Sequence, residues 1–125
     1  MTRSDHQWEL LQALALLILY ADRLGYKLTG GELWRPRGSH RHQHYKRLAI
    51  DLNLFIRGAS GRRVYQRSTE AHSELGLFWE SLSPYNRWGG HFRDANGNRD
   101  GNHYERLEVS REDAPERWIL PDRRA

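Results

Sequence analysis

Apolar residues at Trp8, Leu11, Leu14, Leu17, Ile18 and Ala21 recur at three- and four-residue steps, the period of an amphipathic helix. The pattern predicts a helix from about Asp5 to Leu24, with Ser4 or Asp5 as its cap and Gly25 as its stop. "YKLTGGELWR" then reads as a hairpin or irregular strand pair turning at Gly30-Gly31, and "RPRGSHRHQH" as a loop. "RLAIDLNLFI" alternates. Ile50, Leu52 and Leu54 fall on one face, and Ala49, Asp51 and Asn53 on the other, so a strand is expected with Asp51 and Asn53 side by side. "RGASGRR" is a turn.

A second helix fits from about Ser68 to Leu82. Thr69 is its expected cap, with His72 three residues on as an imperfect capping box, and Leu75, Leu77, Phe78, Trp79 and Leu82 as its apolar side. "SPYNRWGG" ends it, and Trp88 is expected in the core. "HFRDANGNRDGN" is a loop, and "HYERLEV" a short strand on which His103 and Glu105 share a face opposite Tyr104. The expected architecture is α+β: one small domain, an antiparallel sheet with helices packed on it, covering residues 1–110. Residues 111–125 form a charged surface tail with a small apolar knot at Trp118, Ile119 and Leu120.

Composition narrows the chemistry. The chain has 125 residues, which suits one domain. Mean hydropathy is low, at −0.90. Five Trp, six Tyr and three Phe nonetheless supply enough bulky apolar surface for a modest core. With no cysteine, disulfides, a thiol nucleophile and thiolate metal sites are excluded, and any metal would take His and carboxylate ligands. The net charge of +4 favours polyanionic partners or is ordinary solubility charge. The apolar run Leu10 to Ala21 is too short to span a bilayer, so no stable membrane insertion is expected. Polar residues precede it and no small-residue cleavage site follows, so no signal peptide is expected either.

Three groups carry candidate chemistry: His44, Asp51, and Asp100 with His103. Hydrolytic zinc sites have three protein ligands and one open position, with a separate carboxylate as base. Two His and one Asp would leave the ion net positive, and Asp100, three residues before His103, could reach the open position across a turn. Each piece alone is weak in a chain with seven His. His6, His72 and His91 are assigned to structure or solvent.

Taken together, "HYKRLAIDLNLF", "ELGLFWESL", "RWGGHF" and "DGNHYE" resemble a family of zinc peptidases. The family contains the D-alanyl-D-alanine carboxypeptidases and the phage L-alanyl-D-glutamate endopeptidases. The resemblance runs from about Gly25 to Glu105 and is nearest to short phage members. It implies that His44, Asp51 and His103 bind Zn²⁺ at the sheet and that Asp100 is the general base. Arg35, in "GELWR", would bind a substrate carboxylate or stabilise the oxyanion. Two positions depart from the pattern. His42 stands where the family has Ser, with Ser39 out of register, and Arg47 stands where a small residue is usual. His42 could orient substrate or compete for the ion, and Glu105 could support a ligand from behind. The glycines of "RWGG" fit a close backbone approach or a sharp bend.

The resemblance implies a monomeric hydrolase of peptidoglycan stem peptides, resembling an endolysin. It would be made in the bacterial cytoplasm and act at the cell wall after release. Endopeptidase cleavage between L-alanine and D-glutamate is preferred, and removal of terminal D-alanine is the alternative. A basic nucleic-acid-binding protein is the competing class, suggested by 20 Lys and Arg and by interleaved aromatics. The 16 mixed-in acidic residues and the lack of a one-sided basic helix weigh against nucleic acid as a partner.

Overall fold

A computed structural model describes residues 1–33, 43, 46–93 and 97–114. The first helix, α1 (Arg3–Arg23), is capped by Thr2 in a reciprocal box with Asp5, not by Ser4 or Asp5. Its buried side is His6, Leu10, Ala13, Leu17 and Ala21. This corrects the expected stripe: Trp8 is 61% exposed, and Leu11 and Ile18 also face outward. The helix is apolar on nearly every side, so periodicity alone did not select the packed face.

The second strand, β2 (Ala49–Arg57), is the centre of the sheet. It pairs antiparallel with β1 (Lys27–Gly30), with β3 (Arg63–Tyr65) and with β5 (His103–Arg106), and β5 pairs with β4 (Asn86–Trp88). The expected hairpin at Gly30-Gly31 does not form. Instead β1 pairs with β2, in the register Lys27↔Phe55 to Gly30↔Leu52. Strands β3 and β4 were not anticipated. Each has three residues, too few for an alternation to register.

The alternation of β2 has the expected sense. Ile50, Leu52 and Leu54 join Leu10, Ala13, Leu17 and Ala21 of α1 and Leu75 and Trp79 of α2 (Ser73–Ser81) in one core. Thr69 makes no side-chain cap. A 3-10 turn (Glu70–His72) precedes α2, and the Ser68 hydroxyl accepts the Ala71 amide. Trp88 is buried, as expected. The helices thus cover one face of an antiparallel sheet, the α+β arrangement read from the sequence. Among the described residues, no helix is long and apolar enough to cross a membrane.

The histidines assigned to structure are held as structure. His6 accepts from Arg106 Nε at 2.8 Å, tying α1 to β5, and His91 meets Glu80 at 2.8 Å. Arg111, where the tail was expected to begin, is anchored: its amide donates to the Pro84 carbonyl and its guanidinium to the Ser83 carbonyl. The apolar knot of the tail lies outside the described residues.

Two predictions follow from the packing. A β-carbon on Gly76 would lie 2.0 Å from Trp88 Cδ2, inside a buried ring. Gly76→Ala gains about 1 kcal/mol of helix propensity but overpacks the α2–β4 contact by about 1–3 kcal/mol. A net loss is expected, read as a lower melting temperature. The second concerns His72, whose Nδ1 accepts from the Tyr104 hydroxyl at 2.8 Å. Burial lowers its pKa from 6.5 to about 4. Between those values the unfolded chain binds the extra proton, so stability falls as pH drops through that window and is fully present above it. The urea midpoint should therefore fall from about pH 7 to about pH 4.5, and His72→Gln, which keeps an acceptor but does not titrate, should flatten the fall.

Candidate metal centre

The polar face of β2 and the strand β5 build the site. In their register Asp51 stands directly opposite His103, and Ala49 opposite Glu105. Residues opposite each other project from the same face, so the two strands bring Asp51, His103 and Glu105 together. His103 Nδ1 lies 3.2 Å from Asp51 Oδ1 and 3.9 Å from Asp100 Oδ2. One ligand atom from each of Asp51, Asp100 and His103 falls within 4.8 Å of the others.

Asp100 is placed by its turn. Its carbonyl accepts the His103 amide at 3.0 Å and its own amide donates to the Gly89 carbonyl at 3.2 Å. Gly89 makes this possible, because a β-carbon there would lie 2.0 Å from the Asp100 carbonyl oxygen and 2.9 Å from His103 Cβ. The next residue, Gly101, is pinned between Thr69 and Trp88, whose Nε1 donates to the Gly101 carbonyl at 2.7 Å. The "RWGG" stretch therefore serves the close approach expected of it.

The other imidazole nitrogen faces Glu105. His103 Nε2 lies 2.6 Å from Glu105 Oε1, and Glu105 Oε2 accepts from Arg87 Nε at 2.7 Å and Nη2 at 2.5 Å. Burial works to raise the Glu105 carboxyl, but Arg87 and His103 outweigh it and hold the group at about 2. Burial also disfavours a charged His103. Hydrogen bonds to Asp51 and Glu105, with the charges of Glu105 and Asp100, overcome this and lift it to about 10.

The donor set fits a divalent cation. Asp51 and Asp100 gather at His103 Nδ1 and place negative charge where a cation would sit, while Glu105 meets the other ring nitrogen and is balanced by Arg87. Nδ1 faces Asp51 and Asp100 while Nε2 faces Glu105, so a His103 that keeps its Nε2 proton for Glu105 would offer Nδ1 to an ion. A bound cation would replace the proton that the same carboxylates otherwise hold on His103. Asp51, Asp100 and His103 are thus brought together. His44 and Arg35, the remaining expected site residues, lie outside the described residues, as do Ser39 and His42.

Arg47 has an unusual backbone. Its φ is 60°, and it is the non-glycine residue with positive φ among those described. A glycine takes this left-handed backbone freely, whereas an arginine holds it under strain. Two neighbours were missed in the sequence. Arg87 enters through the unanticipated β4, and Phe92 packs its ring edge-on at 6.0 Å from His103 with the Arg87 guanidinium 4.1 Å above it. The local sequence "NRWGGHF" carries no signal for either contact.

No family model matches the chain, and no curated protein matches it. The functional reading therefore rests on these residues and their geometry.

Glu105→Gln leaves the buried Arg87 without its counter-charge and should lower the melting temperature, and in the protein that remains folded it should weaken divalent-ion binding by roughly 10–100-fold, as loss of a supporting carboxylate does. Titration of the metal-free protein with Zn²⁺ by calorimetry would measure it, and unchanged affinity would remove Glu105 from the site.

Proposed function

We propose that the chain is a zinc-dependent peptidase of bacterial peptidoglycan stem peptides, cutting between L-alanine and D-glutamate. The carrying observation is the in-register facing of Asp51 and His103 with Asp100 beside them. The sequence blocks of the peptidase family, met in the same order, support it. In this reading His44 joins Asp51 and His103 as the third ligand. The ion would supply Lewis acidity, lowering the pKa of a coordinated water to about 7 and polarising the scissile carbonyl.

The chain's own groups divide the remaining work. Asp51 is 23% exposed at its side chain and Asp100 is 46% exposed. The deeper carboxylate, nearer Nδ1, suits ligation, and the more open one suits meeting substrate. Asp100 takes a proton from the attacking water and delivers it to the departing amine. Glu105 and Arg87 hold the His103 ring in its plane and tautomer. Arg35 receives a substrate carboxylate or the developing oxyanion. The protein acts at the wall, where a positive net charge favours an anionic envelope.

The test is purified protein with purified peptidoglycan, with and without chelator, read by mass spectrometry. Chelator-sensitive release of peptides with a new D-glutamyl amine is expected. Loss of single terminal alanines would instead identify the carboxypeptidase. Asp100→Asn should retain zinc and lose about 10²–10⁴-fold in turnover, whereas His103→Ala should lose metal and activity together. Normal turnover in Asp100→Asn would overturn the mechanism.

A further inference from the structure

The outward side of α1 is a second apolar stripe. Trp8 and Leu19 are 61% and 65% exposed, and Leu11 and Ile18 are 49% and 47% exposed. At about 3.6 residues per turn these four and Ala15 lie roughly opposite the buried side of the helix. They stay exposed with the sheet and α2 in place. The stripe is also regular. Ser4, Trp8, Leu11, Ala15, Ile18 and Asp22, all exposed, follow one another at steps of four, three, four, three and four residues. That is the period, about 3.5 residues, of a seam that packs against another helix.

The occupant that fits this seam is a second α1 running the other way. With a two-fold axis at the level of residue 13, Trp8 meets the second copy's Ile18, Leu11 meets its Ala15, and Ser4 meets its Asp22. Each apolar layer sets a larger side chain against a smaller one, and Ala15 lets the helix axes approach to about 8–10 Å. Asp5 in the first turn and Arg23 in the last lie on the same flank of the stripe, so opposite charges fall near each other at both ends of the pair. A parallel pair would instead set Asp22 against Asp22 and Ala15 against Ala15, a like-charge contact and a gap.

The area is sufficient for weak association. The stripe exposes roughly 500–600 Å² of apolar surface, the upper end for a monomer. Two copies would remove about 1,100 Å² from water, at the lower edge of a specific interface. An anionic membrane fits less well. The helix carries two Arg and no Lys against Asp5, Glu9 and Asp22, so its charge gives no attraction to acidic lipid.

We propose that α1 is a self-association helix and that the chain forms a reversible antiparallel dimer through Ser4 to Asp22, the monomer implied by the family resemblance being its dilute form. The proposal goes beyond the peptidase reading and does not depend on it. The buried side of α1 packs on Ile50, Leu52 and Leu54, whereas Asp51 and His103 occupy the other face of the sheet. Both metal centres therefore remain open in the dimer, and a repetitive polymer would be held at two points by one particle.

The experiment is sedimentation equilibrium of the full chain. The average mass should rise from 14.8 kDa toward twice that between about 5 and 500 µM, as a weak dimer requires. Leu11→Glu/Ile18→Glu should stay monomeric throughout, with melting curves confirming the fold. The chain has no cysteine, so single cysteines report the pairing. Ser4→Cys and Asp22→Cys leave the apolar layers intact. Mixed and oxidised, the two variants should form a disulfide-linked dimer. Each alone should not, because the antiparallel pair holds two copies of either position about 27 Å apart. A parent that remains monomeric at the highest concentration would overturn the proposal, and dimers that appear only with Trp118→Ser/Leu120→Ser would give the stripe to the chain's own tail. A dimer unaffected by Leu11→Glu/Ile18→Glu, or cysteines that link as readily alone as mixed, would overturn it as well. Seam-dependent sedimentation with anionic phospholipid vesicles, by a chain that is monomeric in solution, would assign the stripe to a membrane instead.

Discussion

The buried ion pair between Arg87 and Glu105 is the constraint around which the rest is arranged. A carboxylate taken fully out of water is tolerated only if it is paired and hydrogen-bonded. Glu105 meets that condition with two guanidinium nitrogens on one oxygen and His103 on the other. The partners come from neighbouring strands, since Arg87 on β4 faces Glu105 on β5. Pairing at the sheet edge and the orientation of one imidazole are therefore a single requirement. Loss of either partner would leave an uncompensated buried charge, a penalty of about 3–5 kcal/mol. That is a large share of a small domain's stability.

Backbone proximity is the second condition. The Asp100 turn can stand beside β4 only because Gly89 has no side chain, and Gly101 lets the same turn press on Thr69. Strand pairing delivers Asp51 and His103, but the third carboxylate arrives by close packing of a loop. Arg47, with φ of 60°, shows the opposite case: a left-handed position held by a residue with a β-carbon, at about 1–3 kcal/mol of local strain. Such strain next to a site is tolerated when the surroundings over-determine it. Leu48, whose amide bonds the Gln43 carbonyl, anchors the chain on one side of Arg47.

What the sequence disclosed follows from how far each signal reaches. β2 was legible because Ile50, Leu52 and Leu54 alternate with Asp51 and Asn53. The shared face of His103 and Glu105 followed from the same two-residue period. Helix α1 was legible as a helix but not in its orientation, since Trp8, Leu11 and Ile18 are as apolar as the residues that pack. β3 and β4 escaped because three residues show no period, and β4 is buried throughout. Lys27–Gly30 was read as half of a local hairpin because turn glycines are a local signal, whereas its partner β2 is about twenty residues on. Arg87 was invisible for the same reason: its contact is made by a strand pairing that nothing local encodes. Asp100 and His103 share a tight turn, which is short-range, whereas Asp51 reaches them through the β2–β5 pairing and was grouped with them by the family resemblance.

Charge is sorted along a single strand. Four described cations meet acids: Arg3 and Lys46 share Glu108, Arg106 meets Glu9, and Arg87 meets Glu105. On the open face of β2 the pattern differs. Asp51 and Asp100 gather at one end, and Lys27, Arg57 and Arg63 stand at the other. The separation of about 20 Å exceeds the screening length of about 8 Å at physiological salt, so the two ends act as independent fields. The acidic end attracts a cation without neutralising the basic end. The basic end can attract carboxylates without emptying the acidic one.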